Sequence, residues 1–146
     1  MFTYPAYKQL QQRLNTIAPA FYYIRQYQPG KGNINYVAPA IYIEMPKDST
    51  RQYYGRGTRV IKNAIIKIHY ISNAPYKSHV NSVQDAFLDQ HNNALHQINA
   101  LMEQTVLYKE DGSLLTQKIL PQGSDELNFI DQKVYSILMY STEIYL

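Results

Sequence analysis

The sequence predicts an α+β fold. We expect a single domain over residues 1–146, with one mixed, mostly antiparallel sheet of four to six strands, an N-terminal helix and one long helix packed on one face. Thr58–Ser72 is a long alternating run rich in β-branched residues, the pattern of a strand within a sheet. Tyr4–Ala18 and Ser82–Gln104 carry apolar residues at helical spacing, and the second is long enough to lie across the sheet. We expect Thr58–Ser72 to form the centre of the sheet and the helix after it to cover one face.

Composition limits the classes of function. The chain has no cysteine, which excludes a disulfide scaffold and a cysteine-ligated metal site. Its net charge of +3 and its pI near 9.0 permit contact with nucleic acid but do not demand it. Charged residues make up 17% of the chain, and fifteen tyrosines supply amphipathic side chains of the kind that interfaces use. No secretory signal or membrane-length apolar stretch is visible, so we expect a soluble protein made in the cytoplasm.

The first predicted element is an amphipathic helix at Tyr4–Ala18. Thr3 is a suitable N-cap, Pro5 suits the first turn, and Pro19 ends the helix. The apolar stripe expected to face the sheet consists of Tyr7, Leu10, Leu14 and Ile17.

Two strands and a loop are predicted before the central strand. Phe21–Gln28 is the first strand and Pro39–Met45 the second. Lys47–Gly57 has no periodicity and contains two glycines, so we predict a loop, and loops of that length are usually functional or mobile.

The central strand is expected to have one apolar and one mixed face. The apolar face takes Val60, Ala64, Ile66, Ile68 and Tyr70, with Lys62 as a misfit near the start. The mixed face takes Ile61, Ile65, Ile71, Asn63, Lys67 and His69.

The second half of the chain predicts a helix and closing strands. Asn81 or Ser82 is the expected N-cap, with Asp85 in a capping-box position. The apolar helix face is Val83, Phe87, Ala94, Leu95, Ile98, Leu101 and Met102. A turn at Asp111–Gly112 suggests a hairpin between Val106–Lys109 and Leu114–Leu120, followed by a loop at Pro121–Asp125 and a last strand at Val134–Tyr145.

No residue pattern predicts catalysis, a cofactor or a metal site. His91 and His96 are five residues apart on a helix, which places them on different faces. Asp85 and Asp89 share a face, but near a helix N-terminus they more simply complement the helix dipole. The sequence Gly123-Ser124-Asp125 lacks the second glycine of a nucleophile elbow. We therefore do not expect an enzyme.

Two stretches are candidates for a subunit interface. One comprises Lys47, Arg51, Tyr53, Tyr54, Arg56 and Arg59, and the other comprises Tyr23, Arg25 and Tyr27 on one face of the first strand. Arginine and tyrosine are enriched at protein–protein hot spots. The same composition can bind single-stranded nucleic acid, although no second basic cluster extends a track for the backbone, and it also fits a solvated loop.

The order and lengths of these elements resemble those of the tail terminator, or tail-completion, proteins of long-tailed bacteriophages. The resemblance rests on the helix at Tyr4–Ala18, the strand at Phe21–Gln28, the short strand Pro39–Glu44, the polar loop, the strand Thr58–Ser72, the helix Ser82–Gln104 and the closing strands. It covers nearly the whole chain and contains no single diagnostic residue. The tyrosine-rich, Asn/Gln-rich surface fits a ring or neck protein of a short-tailed phage equally well.

The resemblance implies a structural virion protein. Such a subunit forms a ring, usually of six copies, at the head-proximal end of the tail tube, where it stops tube growth and offers a docking face to the neck. The implied partners are copies of itself, tail-tube or neck and connector proteins, and, non-specifically, DNA passing through the lumen. The implied location is the virion tail or neck after assembly in the host cytoplasm, and the Lys47–Gly57 loop would become ordered in the ring. The alternative is a small nucleic-acid-binding module that uses residues 47–59.

Overall fold

The computed structural model describes residues 3–25, 37–46, 51–54, 58–73, 76–77, 82–83, 85–130 and 132–146. In chain order the elements are α1 (Tyr4–Leu14), β1 (Ala20–Tyr22), β2 (Ala40–Glu44), β3 (Arg51–Tyr54), β4 (Thr58–Asn73), β5 (Tyr76–Lys77), β6 (Ser82–Val83), α2 (Asp85–Met102), β7 (Leu120–Ile130) and β8 (Lys133–Tyr145). Both helices and the long central strand are where the sequence predicts them, so the α+β fold class is confirmed.

The main sheet is mixed and mostly antiparallel. Its strand order is β1-β2-β4-β8-β7, and β3 also pairs with β4. The pair β1–β2 is parallel, and the other pairs are antiparallel. β4 is the centre of the sheet, since β8 pairs with it along one side while β2 and β3 pair with successive parts of the other side. β5 and β6 form a separate two-stranded ribbon.

Both helices contribute to one core over one face of the sheet. From α1 the core takes Tyr7, Leu10 and Leu14 of the predicted stripe, while Ile17 lies beyond the helix end and packs at the margin. From α2 the core takes Ala94, Ile98 and Met102, with Leu95 and Leu101 at the margin. The strands supply mainly isoleucines and two tyrosines, namely Ile41, Ile43, Ile66, Ile68, Tyr70, Tyr140 and Ile144. Phe87, predicted on the apolar face of α2, is half-buried and is not part of this cluster in the described chain.

A β-bulge explains why Lys62 does not fit the predicted alternation of β4. The pairing with β8 shifts between Ile61 and Ala64, and Asn63 has φ of 52°. An extra residue in one strand shifts the alternation of its side chains by one. Every second residue therefore changes from one face of the sheet to the other at the bulge. Ile61 therefore belongs to the same core as Ala64, and its predicted place on the mixed face is wrong.

The other face of the sheet holds a smaller buried cluster. It consists of Ala40, Tyr42, Ile71 and Tyr135, with Tyr23, Ala38, Ile130 and Ile137 packed against it. The Tyr42 hydroxyl accepts a hydrogen bond from the Val37 N–H at 2.8 Å, which satisfies the polar end of a buried ring.

The helix boundaries differ from those predicted. α1 ends at Leu14 rather than Ala18, and the Asn15 side chain accepts a hydrogen bond from the Ala20 N–H at 3.0 Å. Thr3 holds the N-cap position without a side-chain capping bond. Ser82 pairs with Lys77 in the small ribbon, so it cannot cap α2, and the predicted capping box is wrong.

The strands also differ, and two predicted loops contain strands. β1 ends at Tyr22, and the rest of the predicted first strand beyond Arg25 lies outside the described residues. Within the predicted loop Lys47–Gly57, residues 51–54 form β3. The predicted loop Pro121–Asp125 belongs to β7. The turn at Asp111–Gly112 is confirmed, since Lys109 N–H donates to the Ser113 carbonyl at 2.8 Å, but the segments beside it form only an isolated bridge, Tyr108–Leu114, rather than the two predicted strands.

Candidate subunit interface

The predicted patch after β1 is partly used inside the subunit. The Tyr23 ring stacks on the His69 imidazole, with centroids 4.2 Å apart and planes 16° apart. His69 Nε2 in turn lies 2.8 Å from Glu44 Oε2. Burial lowers the pKa of His69, and the Glu44 carboxylate opposes that shift. Tyr23 is therefore anchored to the sheet by a stacked pair.

Arg25 lies at the solvent end of this cluster. It is exposed and has φ of 63°, and it lines a hollow of about 300 Å³ with Tyr23, Glu44 and other residues of β1 and β2. Tyr27, the third predicted member of this patch, lies outside the described residues. The hollow is shallow and holds one cation and one carboxylate, which suits a contact surface better than a catalytic site.

The second predicted patch is a strand rather than a loop. Arg51, Tyr53 and Tyr54 belong to β3, where Tyr53 is the register partner of Arg59 on β4. Lys47 and Arg56 lie outside the described residues. β3 pairs with β4 at Thr58–Ile61, and β2 pairs with the same side of β4 at Lys67–Ile71. Both predicted patches therefore lie at the same edge of the sheet.

A closed ring of identical subunits needs two different contact patches, one for each neighbour. Two patches at the same edge of the sheet cannot contact two neighbouring subunits that lie beyond opposite edges. A ring would therefore require a further patch, which the sequence did not indicate.

β7 is the strand at the opposite edge of the sheet. It pairs with β8, and no other strand in the described part of the chain pairs with it. Its first eight residues are all exposed. Three apolar side chains on it are open to solvent, Leu120 at 47%, Leu127 at 46% and Phe129 at 51% exposure. An edge strand of this length is a ready template for pairing with another chain.

The amino-acid composition of β7 is not typical of a strand. Leu-Pro-Gln-Gly-Ser-Asp-Glu is polar and contains two residues that usually mark turns. Proline and glycine are tolerated on edge strands and at bulges, and the pairing with β8 shifts at Pro121/Gly123 and again at Asp125/Asn128. The alternating signal therefore lies in β8, its partner, rather than in β7 itself.

The two edges of the sheet carry opposite charge. Residues 49–84, which include β3 and β4, contain six Lys or Arg and no Asp or Glu. Residues 119–132, which include β7, contain Asp125, Glu126 and Asp131 and no Lys or Arg. A composition summed over the whole chain conceals this separation.

A buried polar cluster connects α2 with the sheet. His91 is fully buried, with Nδ1 2.6 Å from Ser72 Oγ and Nε2 2.8 Å from Ser136 Oγ. The Leu127 N–H at the second bulge of β7 also donates to Ser136 Oγ, at 3.3 Å. Burial lowers the pKa of His91 to about 4, so the imidazole is neutral at pH 7.

The Ser–His distance is that of a catalytic serine paired with its base, but a catalytic serine must also be accessible to a substrate. Ser72 and Ser136 are both buried with the imidazole, and both ring nitrogens are occupied by hydroxyl groups. The cluster therefore fixes α2 against β4 and β8. The spacing of these three residues along the chain gave no signal for it.

The other residues considered for chemistry are solvent-exposed. Asp85 and Asp89 lie in the first turns of α2. The Ser124 hydroxyl donates to Glu126 Oε1 at 2.9 Å, within β7. Among the described residues there is no group of three or more His, Cys, Asp or Glu that could hold a metal ion.

A scan against models of protein families found no match, and neither did a search of curated proteins. In the part of the chain that the structure describes, no helix is both long and apolar enough to cross a membrane.

Proposed function

We propose that this chain is a structural, non-enzymatic subunit that assembles head to tail into a ring. The observation that carries the proposal is β7, an edge strand of eleven residues with three exposed apolar side chains. Native edge strands are often blunted by proline, charges and bulges. β7 has Pro121, two bulges and adjacent carboxylates, but its length and the exposed Leu127 and Phe129 leave apolar surface that these devices do not cover. Its position across the sheet from the Arg- and Tyr-containing β3 gives the two different patches that a cyclic assembly needs.

The proposed location of this ring is the head-proximal end of a bacteriophage tail, or the neck, where it ends growth of the tail tube and joins tail to head. The support is the order of elements that resembles tail terminator proteins, an order that the helices and long strands retain. The proposed partners are further copies of the chain and tail-tube or neck proteins. A tagged chain should then be found at one end of purified tails in electron micrographs, and binding along the tube wall would argue against this location.

The double substitution Tyr53→Ala plus Tyr54→Ala is expected to abolish the ring and leave the fold intact. Tyrosines on a short edge strand contribute most when a neighbouring subunit removes them from water. Light scattering coupled to size exclusion should give about 102 kDa for a wild-type hexamer, six times the 17.0 kDa chain, and the monomer mass for the variant.

A matched control replaces Tyr4 and Tyr108, two exposed tyrosines on α1 and near the Asp111–Gly112 turn. This pair is expected to leave the assembly unchanged. A Tyr53/Tyr54 variant that assembles like the wild type would remove β3 from the interface. A wild type that stays monomeric at high concentration would reject self-assembly.

The alternative, a nucleic-acid-binding module, is favoured by the carboxylate-free stretch at residues 49–84. If the chain contacts proteins alone, its binding to single-stranded DNA should be weak and should vanish near physiological salt, because few phosphates are neutralised at once. Fluorescence anisotropy across a salt series measures this. Saturable, submicromolar binding at physiological salt would favour the alternative instead.

A further inference from the structure

We infer that the outer edge of β7 docks on β3 of the next copy, so that one sheet continues from subunit to subunit. This inference rests on the proposed ring and names its contact. The occupant is a second copy of this chain, and three observations carry the choice: the charges of the two edges, their positions in the sheet and their strand directions.

Charge selects the partner edge. β7 carries Asp125 and Glu126 next to each other, while β3 carries Arg51 and lies beside Arg59 of β4. Docking β7 on β7 of a two-fold partner would bring four carboxylates together, and like charges facing each other across an interface are costly. Docking on the basic edge places opposite charges together and disfavours the symmetric dimer.

Strand direction is also compatible with this contact. β7 runs parallel to β4 because each is antiparallel to β8, whereas β3 runs antiparallel to β4. Copies added in the same orientation therefore place β7 antiparallel to β3 of the neighbour. An added antiparallel strand gains backbone hydrogen bonds, and side chains such as Leu127 and Phe129 add apolar contact beyond the short β3.

The two edge strands, β3 and β7, lie beside different parts of β4 along its length. β3 lies beside Thr58–Ile61 of β4, whereas β7, through β8, is level with Ile65–Asn73. A sheet that closes on itself needs such a stagger, since its strands must tilt relative to the ring axis. The offset therefore suits a closed ring better than a flat, open array.

Reversing the charge of either edge separately tests the contact. The acidic-edge variant is Asp125→Lys plus Glu126→Lys, and the basic-edge variant is Arg51→Glu plus Arg59→Glu. Each variant then has two edges of the same sign and is expected to dissociate to monomer at concentrations where the wild type is a ring, with at least a tenfold rise in the concentration needed for assembly.

Mixing the two variants should restore assembly. The Lys-bearing β7 of one variant meets the Glu-bearing β3 of the other, and the remaining contact keeps the native charges, so the subunits alternate around the ring. A chain with all four substitutions should assemble alone. Restored assembly also shows that the variants fold, which a loss of assembly could not show. Native mass spectrometry of the mixture distinguishes alternating rings from separate species.

The control Asp89→Lys plus Glu110→Lys makes the same change of charge at exposed positions on α2 and in the Asp111–Gly112 turn, and it should assemble normally. A wild-type ring that persists in the acidic-edge variant would overturn the β7 contact while leaving the ring. Loss of assembly with Arg25→Glu but not with the basic-edge variant would place the contact at β1 and overturn it too. A wild type that never assembles would reject the proposed function and this inference with it.

Discussion

Replacing Ile66 by alanine is expected to lower the free energy of unfolding by about 2–5 kcal/mol. Ile66 is fully buried on the face of β4 that both helices cover, and it pairs with Tyr140 of β8 in the register. Its truncation would leave a cavity in the close-packed core that the helices and the sheet share. Denaturant unfolding followed by circular dichroism measures the loss.

Ile65→Ala is the matched control because it changes the same side chain one residue earlier. Ile65 is on the opposite face and is 39% exposed, so the loss there should stay under about 1 kcal/mol. Equal losses at the two positions would show that the faces of β4 beyond the bulge are not as described.

Replacing His91 by alanine is expected to destabilise the fold by about 3–5 kcal/mol. The change removes a buried side chain and leaves the hydroxyls of Ser72 and Ser136 without their shared partner. The triple variant His91→Leu, Ser72→Ala, Ser136→Ala removes all three side-chain polar groups together and should recover much of that loss, because a buried polar group is most costly when it is unpaired. It also removes the acceptor of the Leu127 N–H, but that residue is at the exposed edge of the sheet. His96→Ala, at an exposed position on the same helix, serves as the control.

The same cluster predicts how stability depends on pH. The pKa of His91 falls from 6.5 to about 4 in the folded chain, so between these values the unfolded state binds the extra proton. Stability is therefore full above pH 6.5 and falls as the pH drops towards 4, by roughly 3 kcal/mol from this residue. The lowered pKa of His69 acts in the same direction.

The triple variant lacks this titration, so its unfolding free energy should vary less between pH 6.5 and 4 than that of the wild type. Chemical unfolding at a series of pH values in that range provides the comparison. Equal slopes in the two proteins would show that His91 titrates in the folded state as it does in the unfolded chain.

Local patterns were sufficient to predict the helices and the central strand. The stripe of α1 and the alternation of β4 arise from residues that face the same core, so the period along the chain records the packing. The bulge at Asn63 interrupts the alternation of β4, because one extra residue moves the following side chains to the opposite face. In the sequence it was visible as the misfit at Lys62.

What the sequence did not predict depends on pairing between distant residues. β7 is a strand because β8 offers it an edge, although its own composition favours a turn. His91 meets Ser72 and Ser136 through contacts 19 and 45 residues apart, which no local spacing encodes. The candidate interface had the same difficulty. The residues of β3 were identified from the sequence, but their position at the same sheet edge as β1 and β2, with β7 at the opposite edge, follows only from the strand order.

The strand order also has a consequence for how the chain is synthesised. β8 comes last among the strands yet lies between β4 and β7, and its pairing joins Asn73 to Lys133, which the ribosome adds 60 residues later. At about 5–20 residues per second, β8 follows β4 out of the ribosome roughly 3–12 seconds later. During that interval the isoleucine-rich edge of β4 is open, so nascent or truncated chains that lack β8 are the species most in need of a chaperone.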